Sequence, residues 1–583
     1  MISNSTTNME TPTVGSFLFV LHTHLPYVIT HGKWPHGSDW LNEAAAETYI
    51  PILNMLGELI DEGYHPKLSI GISPVLAEQL SDPVFKEGFV HYLDEKILAA
   101  QKDTDYFYKS GEDHLNATAK FWTEWYTSRK NDFVSRYNYN LIAAFRKFSD
   151  IGVLDIMTCA ATHGYFPLLS QDSSIVAQIK IAIETHKRHF GVKPRGIWLP
   201  ECAYRPRYKW KPPVKVQGLE LEYERKGVEE LLSENGIEYF IIDSAMLLGG
   251  KPIGLYLDRF GGLKQLWEQY EKTASIRQEE FEKSVYDLYL VDSPGSTQSP
   301  SVAVFTRDPK TALQVWSGDY GYPGDGQYLE FHKKHHLSGH RYWRVTHSEA
   351  DLADKLKYEP DKIEERLESH SSHFVDLVNK SLVEHYNKTN TRGVLTAPFD
   401  TELFGHWWFE GPRFLKKVLM KIEKSKLVKL SCASAEIDIR KPNKVIQLPE
   451  GSWGEGGHHF IWFNSTTEWT WKKIYEDELI MQELAEKYSD TENQKIRFLL
   501  TQAARELLIL QASDWQFLIS TQSARRYAEE RFTNHHSDFL RLVSTANTYA
   551  DTGVLSEIDW EYANECLERN LLFPEIDLNF WKR

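Results

Sequence analysis

Residues 195–204 are Arg-Gly-Ile-Trp-Leu-Pro-Glu-Cys-Ala-Tyr, an apolar run that leads directly into a glutamate. The run has the length and composition of a buried strand, and Glu201 would stand where that strand ends. Residues 393–402 have the same design, because Gly-Val-Leu-Thr-Ala-Pro-Phe precedes Asp400. Parallel strands of a barrel carry catalytic side chains at their carboxyl ends. The two segments therefore predict a barrel with Glu201 and Asp400 on its active face.

Helix ends and strand starts alternate along the rest of the chain. Polar turns that end in Gly63, Gly152 and Gly236 each precede an apolar run. Glycine just beyond a helix, followed by a strand, is typical of alternating architectures. We therefore predict an α/β fold around a parallel sheet or barrel. Its predicted strands are residues 17–21, 68–72, 154–160, 196–199, 239–242, 302–305 and 394–397.

Three stretches are too long for simple connections between a strand and a helix. Residues 81–149 have a helical pattern, residues 208–227 are rich in lysine and proline and are predicted to be irregular, and residues 249–301 are predicted to be a long loop with a charged helical part. After residue 410 the pattern becomes that of amphipathic helices. The predicted domains are a flexible tail over 1–13, a barrel over 14–410 and an all-α C-terminal domain over 411–583.

The composition is that of a globular enzyme, and it argues against nucleic acid or a membrane as the partner. The chain has 583 residues, of which 42% are hydrophobic and 25% charged, enough for a large core and a further domain. Its net charge of −16 repels nucleic acid and anionic lipid, and no long basic stripe opposes it. We expect a neutral or cationic ligand.

The cysteines and the N-terminal residues indicate a cytoplasmic protein. Cys159, Cys202, Cys432 and Cys566 are scattered and form no CxxC pair, which is typical of a reducing compartment. The first residues lack the basic and apolar regions of a signal peptide. No stretch has 18 uninterrupted apolar residues, so no membrane span is expected.

Glu201 and Asp400 are the candidate catalytic residues. Alone, either acid would be explained as a helix cap or as the partner of an arginine such as Arg205. Both, however, follow predicted strands beside proline and aromatic residues, which favours catalysis in a partly desolvated cleft. Cleavage of a glycosidic bond needs one carboxylate as nucleophile or base and a second carboxyl as proton donor. A separation of about 5–5.5 Å between them gives retention of configuration, and a wider one gives inversion.

His22 and His24 are two residues apart, so a strand points both imidazoles to one face. Together with His163 and Asp400, this pattern is also typical of a metal-dependent amidohydrolase. Buried structural histidines are a third explanation. Later strands are followed by Glu201 and other acids where the amidohydrolase needs histidine or lysine ligands. We therefore favour hydrogen bonding to sugar hydroxyls and predict no metal or other cofactor.

Aromatic residues make up 13% of the chain, and many of its 18 tryptophans cluster in polar loops. Most tryptophans are core anchors, but an indole face beside a glycine-rich turn also suits a pyranose ring. We weigh the two roles about equally for most of these residues. The loop tryptophans are Trp34, Trp40, Trp316, Trp407, Trp408, Trp453 and Trp462.

Asp514 begins a predicted helix in the C-terminal region. A first-turn aspartate stabilises a helix through the helix dipole, which is an ordinary structural explanation. The alternative places Asp514 over the cleft, where its carboxylate accepts a hydrogen bond from a substrate hydroxyl.

At these residues the chain resembles glycoside hydrolase family 57, and within it the 1,4-α-glucan branching enzymes. Five ordered blocks that span most of the chain carry the resemblance. They are His22-Thr-His-Leu-Pro-Tyr, Ala161-Thr-His-Gly-Tyr, Trp198-Leu-Pro-Glu-Cys-Ala-Tyr, Thr396-Ala-Pro-Phe-Asp-Thr-Glu-Leu-Phe-Gly-His-Trp-Trp and Ala512-Ser-Asp-Trp-Gln-Phe.

The resemblance implies an incomplete (β/α)7 barrel with helical insertions and an all-α C-terminal domain. It also implies retention of configuration without a metal, with Glu201 as the nucleophile and Asp400 as the acid/base. The implied substrate is an α-glucan such as amylose, glycogen or a starch precursor. The implied reaction cleaves α-1,4 bonds and re-forms them as α-1,6 branches, and we expect a monomer.

The same resemblance implies roles for residues around the carboxyl pair. His22, His24 and His163 would line the central subsite, and a lid tyrosine would be Tyr286 or Tyr289. The residues expected to hold the glucan chain and its acceptor are Trp316, Trp407, Trp453, Trp462 and Asp514. A hydrolase, a 4-α-glucanotransferase and a non-catalytic glycan-binding protein remain alternatives, as does the amidohydrolase.

Overall fold

The computed structural model describes residues 13–248, 283–293, 295–296, 301–317, 321–347 and 349–583. Residues 1–12 of the predicted tail and residues 249–282 of the predicted long loop lie outside the described residues.

The described strands form one large sheet and one small ribbon. Ten strands make the sheet, in the order β10-β1-β2-β3-β4-β7-β9-β8-β12 with β11 beside β1. The strands are β1 Gly15–Thr23, β2 Leu68–Ile72, β3 Leu154–Cys159, β4 Gly196–Trp198, β5 Tyr208–Trp210, β6 Tyr223–Arg225, β7 Tyr239–Ile242, β8 Tyr289–Val291, β9 Ala303–Thr306, β10 Gly393–Asp400, β11 Val428–Leu430 and β12 Val445–Ile446.

Seven neighbouring strands, from β10 through β9, run parallel and curl toward closure. Beyond the end of β9, Arg307 forms a single parallel bridge with Thr396 of β10, and the N–H of Asp308 donates to the Thr396 carbonyl at 2.9 Å. These seven strands are the seven that the sequence predicts. The predicted α/β fold with an incomplete (β/α)7 barrel is therefore confirmed.

Helices cover the outside of the barrel and fill the predicted insertion at residues 81–149. A π-helical turn, Ala45–Tyr49, joins the first two helices. The α-helices are α1 Ser38–Ala44, α2 Ile50–Asp61, α3 Pro74–Ser81, α4 Pro83–Lys109, α5 Asp113–Asn131, α6 Leu141–Asp150, α7 Asp172–Phe190, α8 Val228–Glu234, α9 Ser244–Leu248, α10 Pro309–Trp316, α11 Ile363–Thr389, α12 Gly411–Ser425, α13 Ala433–Arg440, α14 Glu468–Tyr488, α15 Gln494–Leu510, α16 Ser513–Ser520, α17 Arg525–Thr552 and α18 Glu557–Arg569.

The stretch at residues 208–227 differs from the prediction of an irregular segment. Its ends pair as the antiparallel strands β5 and β6. Trp210 is buried, and the guanidinium of Arg225 lies 5.0 Å from its ring centroid. This cross-strand contact stabilises the ribbon, and the surrounding lysines and prolines obscure it in the sequence.

The domain boundary at residue 410 stays a prediction. Strands β11 and β12 follow it in the chain and still belong to the large sheet, where β11 pairs with β1 and β12 with β8. From Glu468 onward the described residues contain helices and turns. None of the described helices is long and apolar enough to cross a membrane.

The barrel interior explains where the functional side chains stand. Leu18 and Val20 of β1 belong to a buried cluster that also contains Trp198 of β4 and Val394 of β10. Side chains alternate along a strand, so His22 continues the interior face of β1 at its carboxyl end. Asp400 continues the interior face of β10 in the same way. The strands thus deliver polar groups to one mouth of a packed barrel.

Candidate active site

Glu201 follows β4 in a left-handed backbone conformation, with φ 60° and ψ 26°. The turn is closed by a 2.8 Å hydrogen bond from the Cys202 N–H to the Leu199 carbonyl. A non-glycine residue in this region costs on the order of 1–3 kcal/mol and is concentrated at functional sites. His163, which follows β3, has φ 62°. Two of the predicted site residues therefore occupy strained positions directly after their strands.

The Glu201 side chain is partly buried and accepts one strong hydrogen bond. The indole Nε1–H of Trp453 donates to Oε2 at 2.7 Å. The pKa of Glu201 is raised to about 7, chiefly by burial. The Trp453 hydrogen bond and His24 lower this pKa, whereas the Asp514 charge raises it. The Trp453 donor thus stabilises the ionised carboxylate against the desolvation that disfavours it.

Asp400 ends β10 in register with His22 of β1. Burial raises its pKa well above the usual range, the charges of Glu402 and Glu201 raise it further, and Arg307 opposes them. The charge of one predicted acid therefore acts on the other. The structure brings Glu201 and Asp400 to the same mouth of the barrel, with surroundings that favour a protonated Asp400.

Three imidazoles form a stacked group beside the carboxyl pair. Nε2 of His22 lies 3.1 Å from Nε2 of His163, and the His22 ring lies 4.7 Å from the Trp198 ring with an interplanar angle of 5°. The rings of His24 and His163 are 3.9 Å apart. Burial lowers the pKa of His22 and of His163 well below the usual value. Neutral imidazoles both donate and accept, which suits hydroxyl groups.

The C-terminal helices complete this group. Asp514, at the start of α16, accepts a hydrogen bond from Nε2 of His24 at 3.0 Å, while Nδ1 of His24 lies 2.8 Å from the Ser73 hydroxyl. The Ser513 hydroxyl lies 2.8 Å from Nδ1 of His163. Asp514 therefore lies beside the three histidines, and its predicted contact with a substrate hydroxyl stays a prediction.

Among the described residues three sets of side chains could hold a metal ion, and two of these sets lie in this site. The ligand atoms of His22, Cys159 and His163 lie within 4.8 Å of one another, as do those of His24, His163 and Asp514. In the structure, the histidine nitrogens of the second set already have hydrogen-bond partners, and a metal would have to displace them. These side chains therefore form a hydrogen-bonded network. A chelation experiment tests whether they also bind a metal ion.

The predicted tryptophans fall into three positions. Trp453 contacts Glu201, and Trp316 lies edge-on to Trp453 at 5.9 Å. Trp462 is fully buried and stacks on Tyr165 at 4.6 Å, so it supports the site from behind. Trp407 is 43% exposed and lies outside this group.

The structure does not bring Tyr286 or Tyr289 to the carboxyl pair. The Tyr286 hydroxyl donates to Asp308, and its carbonyl accepts from the Val394 N–H at the start of β10. Tyr289 is buried in β8, which runs antiparallel to β9. Tyr286 precedes this strand in the chain. The lid role of these tyrosines stays a prediction.

Several residues of the site are not identified by the sequence patterns. Arg307 forms a 2.8 Å ion pair with Asp243, and Glu402 accepts a 2.7 Å hydrogen bond from the buried Tyr49. Burial raises the pKa of Glu402 to about 7. Arg307 directly follows β9, as the predicted acids and histidines follow their own strands. A search for cations at strand ends would therefore identify it.

The comparisons with known proteins agree with this geometry. A family model described as "Glycosyl hydrolase family 57" matches residues 18–449. The chain belongs to glycoside hydrolase family 57. A second model, described as "1,4-alpha-glucan branching enzyme, C-terminal", matches residues 473–581. The family assignment made from the five sequence blocks is therefore confirmed.

Three known proteins resemble the chain over nearly all of its length. A 1,4-alpha-glucan branching enzyme of Thermococcus kodakarensis is 40% identical over 96% of this chain and 78% of its own. The crystal structure of a branching enzyme from Pyrococcus horikoshii has a TM-score of 0.86 at 38% identity, covering 98% of this chain and 97% of that one. An alpha-amylase, AmyC from Thermotoga maritima, has a TM-score of 0.77 at 30% identity, covering 98% and 99%.

Proposed function

We propose that this protein is a 1,4-α-glucan branching enzyme, which cleaves α-1,4 bonds of a glucan and re-forms them as α-1,6 branches. The observation that carries the proposal is the match of the C-terminal helices to those of branching enzymes, at residues 473–581, together with 40% identity to such an enzyme. These helices supply Asp514 and Ser513 to the cleft. These contacts support a role of the helical region in the proposed active site.

Family membership alone does not separate a transferase from a hydrolase, since a T. maritima amylase shares the fold. The same carboxyl pair performs either reaction, depending on whether water or a second glucan reaches the glycosyl-enzyme. Identity is 38–40% to the branching enzymes of T. kodakarensis and P. horikoshii, against 30% to the amylase. The difference favours transfer.

In the first step Glu201 attacks the anomeric carbon of the cleaved glucose unit. The C1–O4 bond breaks as the bond from C1 to the Glu201 carboxylate forms, and the proton of Asp400 passes to the departing O4. Two features of the site support these roles. Burial raises the pKa of both carboxyl groups. At Glu201, Trp453 and His24 act against this rise, whereas at Asp400 the charges of Glu402 and Glu201 add to it. Environments that push the pKa values of two carboxyl groups apart indicate which group acts as the base and which as the acid.

In the second step the 6-hydroxyl of another glucan attacks the ester. Asp400, now ionised, takes the hydroxyl proton while the bond from C1 to O6 forms and the ester to Glu201 breaks. Two inversions at C1 give net retention. His22, His24 and His163 then hold sugar hydroxyls in the subsite where the ester forms. Trp316 and Trp453 offer aromatic faces to the chain.

The test is to incubate the purified protein with linear amylose and to follow the products by proton NMR and by a reducing-end assay. Branching gives new α-1,6 anomeric signals with few new reducing ends. Reducing ends without α-1,6 signals would show a hydrolase, and redistributed chain lengths with only α-1,4 bonds would show a 4-α-glucanotransferase. Glu201→Gln should abolish all turnover while leaving the far-ultraviolet circular dichroism unchanged.

Two finer points belong to the same proposal. We propose a cytoplasmic location, which is supported by four free cysteines, three of them buried. A monomer is proposed as well. Size-exclusion chromatography with light scattering tests this, because a mass near 67.7 kDa is expected.

A further inference from the structure

The order of the strands fixes the order of the polar side chains around the mouth of the barrel. On one side of the mouth, β4, β7 and β9 are neighbours, and a bridge beyond the end of β9 continues to β10. The polar residues at the ends of these four strands are, in the same order, Glu201, Asp243, Arg307 and Asp400. Asp243 and Arg307 therefore lie between the two proposed catalytic residues along this side of the mouth.

Asp243 and Arg307 form an anchored ion pair. The Arg307 guanidinium lies 2.8 Å from Oδ2 of Asp243, and the two side chains are only 11% and 4% exposed. Oδ1 of Asp243 accepts a 2.8 Å hydrogen bond from the Ala245 N–H in α9, which holds the carboxylate from its other side. Buried polar groups that are joined in a network hold one geometry. Asp243 therefore sets the direction in which the Arg307 guanidinium points.

The backbone at Arg307 is held at the seam of the barrel, where β9 meets β10. The Arg307 N–H donates to the Ile242 carbonyl of β7 at 2.9 Å. The N–H of the next residue, Asp308, donates to the Thr396 carbonyl of β10, also at 2.9 Å. Because the seam is bonded to the strands on both sides, the position of Arg307 is tied to the strand that carries Asp400.

Arg307 acts on both carboxyl groups of the site. Its guanidinium lies 5.9 Å from the ring centroid of Trp453, within the range of a cation–π contact. This indole is the donor to Glu201, so Arg307 supports the nucleophile through Trp453. Burial raises the pKa of Asp400, and the charges of Glu402 and Glu201 add to the rise. The Arg307 charge acts in the opposite direction and favours the carboxylate.

The second step of the reaction needs an ionised Asp400 in surroundings that favour its protonated form. In the first step Asp400 gives its proton to the departing O4, and it must then stay ionised until the acceptor hydroxyl arrives. A fixed positive charge stabilises this carboxylate, whereas without that charge Asp400 regains a proton from solvent more readily. The cation beside Asp400 therefore matters most after the first step.

We propose that Arg307, oriented by Asp243, is a positioning residue of the second step, in which its guanidinium stabilises the Asp400 carboxylate until that group takes the acceptor proton. In this step the proton of the 6-hydroxyl passes to Asp400, the C1–O6 bond forms and the ester from C1 to Glu201 breaks. This role rests on the proposed function, because it needs a two-step reaction with an ester intermediate.

The test compares Arg307→Met, which removes the charge, with Arg307→Lys, which keeps it. Each protein is incubated with linear amylose, quenched in acid and analysed by mass spectrometry for glucan esterified to Glu201. Arg307→Met should lower kcat at least about tenfold and accumulate the ester, because the second step loses its base. Arg307→Lys should retain more of the rate and accumulate less ester. A purely structural role of Arg307 would not produce the ester.

Arg195→Met is the matched control. Arg195 directly precedes β4, at the opposite end of the barrel, and its guanidinium lies 2.6 Å from Glu238. This variant also loses an arginine that is paired with a carboxylate, but it should keep the kcat of the parent and accumulate no ester. Circular dichroism and thermal melts check that each variant is folded. Arg307→Gln, which is uncharged and can still donate to Asp243, takes the place of Arg307→Met if the latter does not fold.

Two results would overturn the proposal. One is an unchanged kcat in a folded Arg307→Met or Arg307→Gln. The other is a lower kcat without accumulated ester, because the lost rate would then belong to the first step or to substrate binding. An ester that accumulates to the same extent in Arg195→Met would equally remove the special role of Arg307.

The outcomes also separate Arg307 from the branching reaction. New α-1,6 signals from the unsubstituted protein together with unchanged kinetics of a folded Arg307→Met would remove the role of Arg307 alone. Reducing ends without α-1,6 signals, together with accumulated ester in Arg307→Met, would remove the branching reaction and leave the role of Arg307 in place.

Discussion

The indole Nε1–H of Trp453 donates a 2.7 Å hydrogen bond to Oε2 of Glu201, and the Trp453 backbone N–H donates one of 3.0 Å to the Glu201 carbonyl. The two residues are 252 positions apart in the chain. The double contact fixes the strained Glu201 turn and stabilises its ionised carboxylate. It links the glycine-rich loop at residues 451–457 to the nucleophile that we propose.

Trp453→Phe keeps the ring and removes the donor. We expect the pKa of Glu201 to rise, since the lost bond lowers it, and the acidic limb of the kcat/KM profile to move to higher pH by about one unit. Activity falls most on the acidic side, where Glu201 becomes protonated. Rates of α-1,6 bond formation across the pH range check this. Trp316→Phe, which removes a neighbouring indole N–H, is the control and should leave the limb in place.

Asp514→Asn should move the acidic limb of the kcat/KM profile to lower pH. The Asp514 charge raises the pKa of Glu201, so its removal lowers that pKa and extends activity to lower pH. The amide still offers an oxygen to His24, which keeps the contact. The pH profile of kcat/KM again supplies the measurement. A shift in the same direction as Trp453→Phe would contradict the electrostatic account of the site.

Glu402→Gln acts on the other catalytic group. The Glu402 charge raises the pKa of Asp400, and the pKa of Glu402 itself is about 7. We expect the alkaline limb of the kcat/KM profile to move to lower pH, because Asp400 loses its proton earlier. Glu402→Asp, which keeps the charge, should leave the limb nearer to its original position. An alkaline limb that stays fixed in Glu402→Gln would show that Glu402 does not act on Asp400.

Arg341→Met should destabilise the fold by about 3–5 kcal/mol at neutral pH, because it leaves the buried Glu47 charge without its partner. Burial opposes ionisation of Glu47, but Arg341 and His406 together hold its pKa at about 2. A lowered folded pKa gives stability that is present above the unfolded value and lost as pH falls toward 2.

The melting temperature of Arg341→Met should therefore differ most from that of the parent near neutral pH and less in acid. Arg413→Met, which breaks a surface ion pair with Glu364, should change stability by less than about 1 kcal/mol. Equal effects of the two substitutions would show that the Glu47 network contributes nothing beyond an exposed pair.

Chelation tests the metal hypothesis directly. We expect dialysis against EDTA to leave the rate of α-1,6 bond formation unchanged, because the histidines near Asp514 donate and accept hydrogen bonds. Elemental analysis of the purified protein is the second measurement. Stoichiometric zinc, with activity lost on chelation and restored by zinc, would support the amidohydrolase chemistry instead.

Local sequence patterns were sufficient for the barrel strands and for both catalytic candidates. Apolar runs of strand length stand out against amphipathic helices, and a polar residue at the end of such a run lies at one predictable edge of a parallel sheet. Glu201, Asp400 and the His22–His24 pair follow from this rule. The two-residue spacing along β1 even predicts the face on which the histidines lie.

Only the tertiary structure decided which distant residues meet. Asp514 reaches His24 across 490 positions and Trp453 reaches Glu201 across 252, and no periodicity encodes such pairings. Chain position suggests a lid role for Tyr286, whereas only the structure shows that its hydroxyl donates to Asp308. A pattern reports the face of one element, whereas the meeting of two elements depends on how the whole barrel closes and where the C-terminal helices pack.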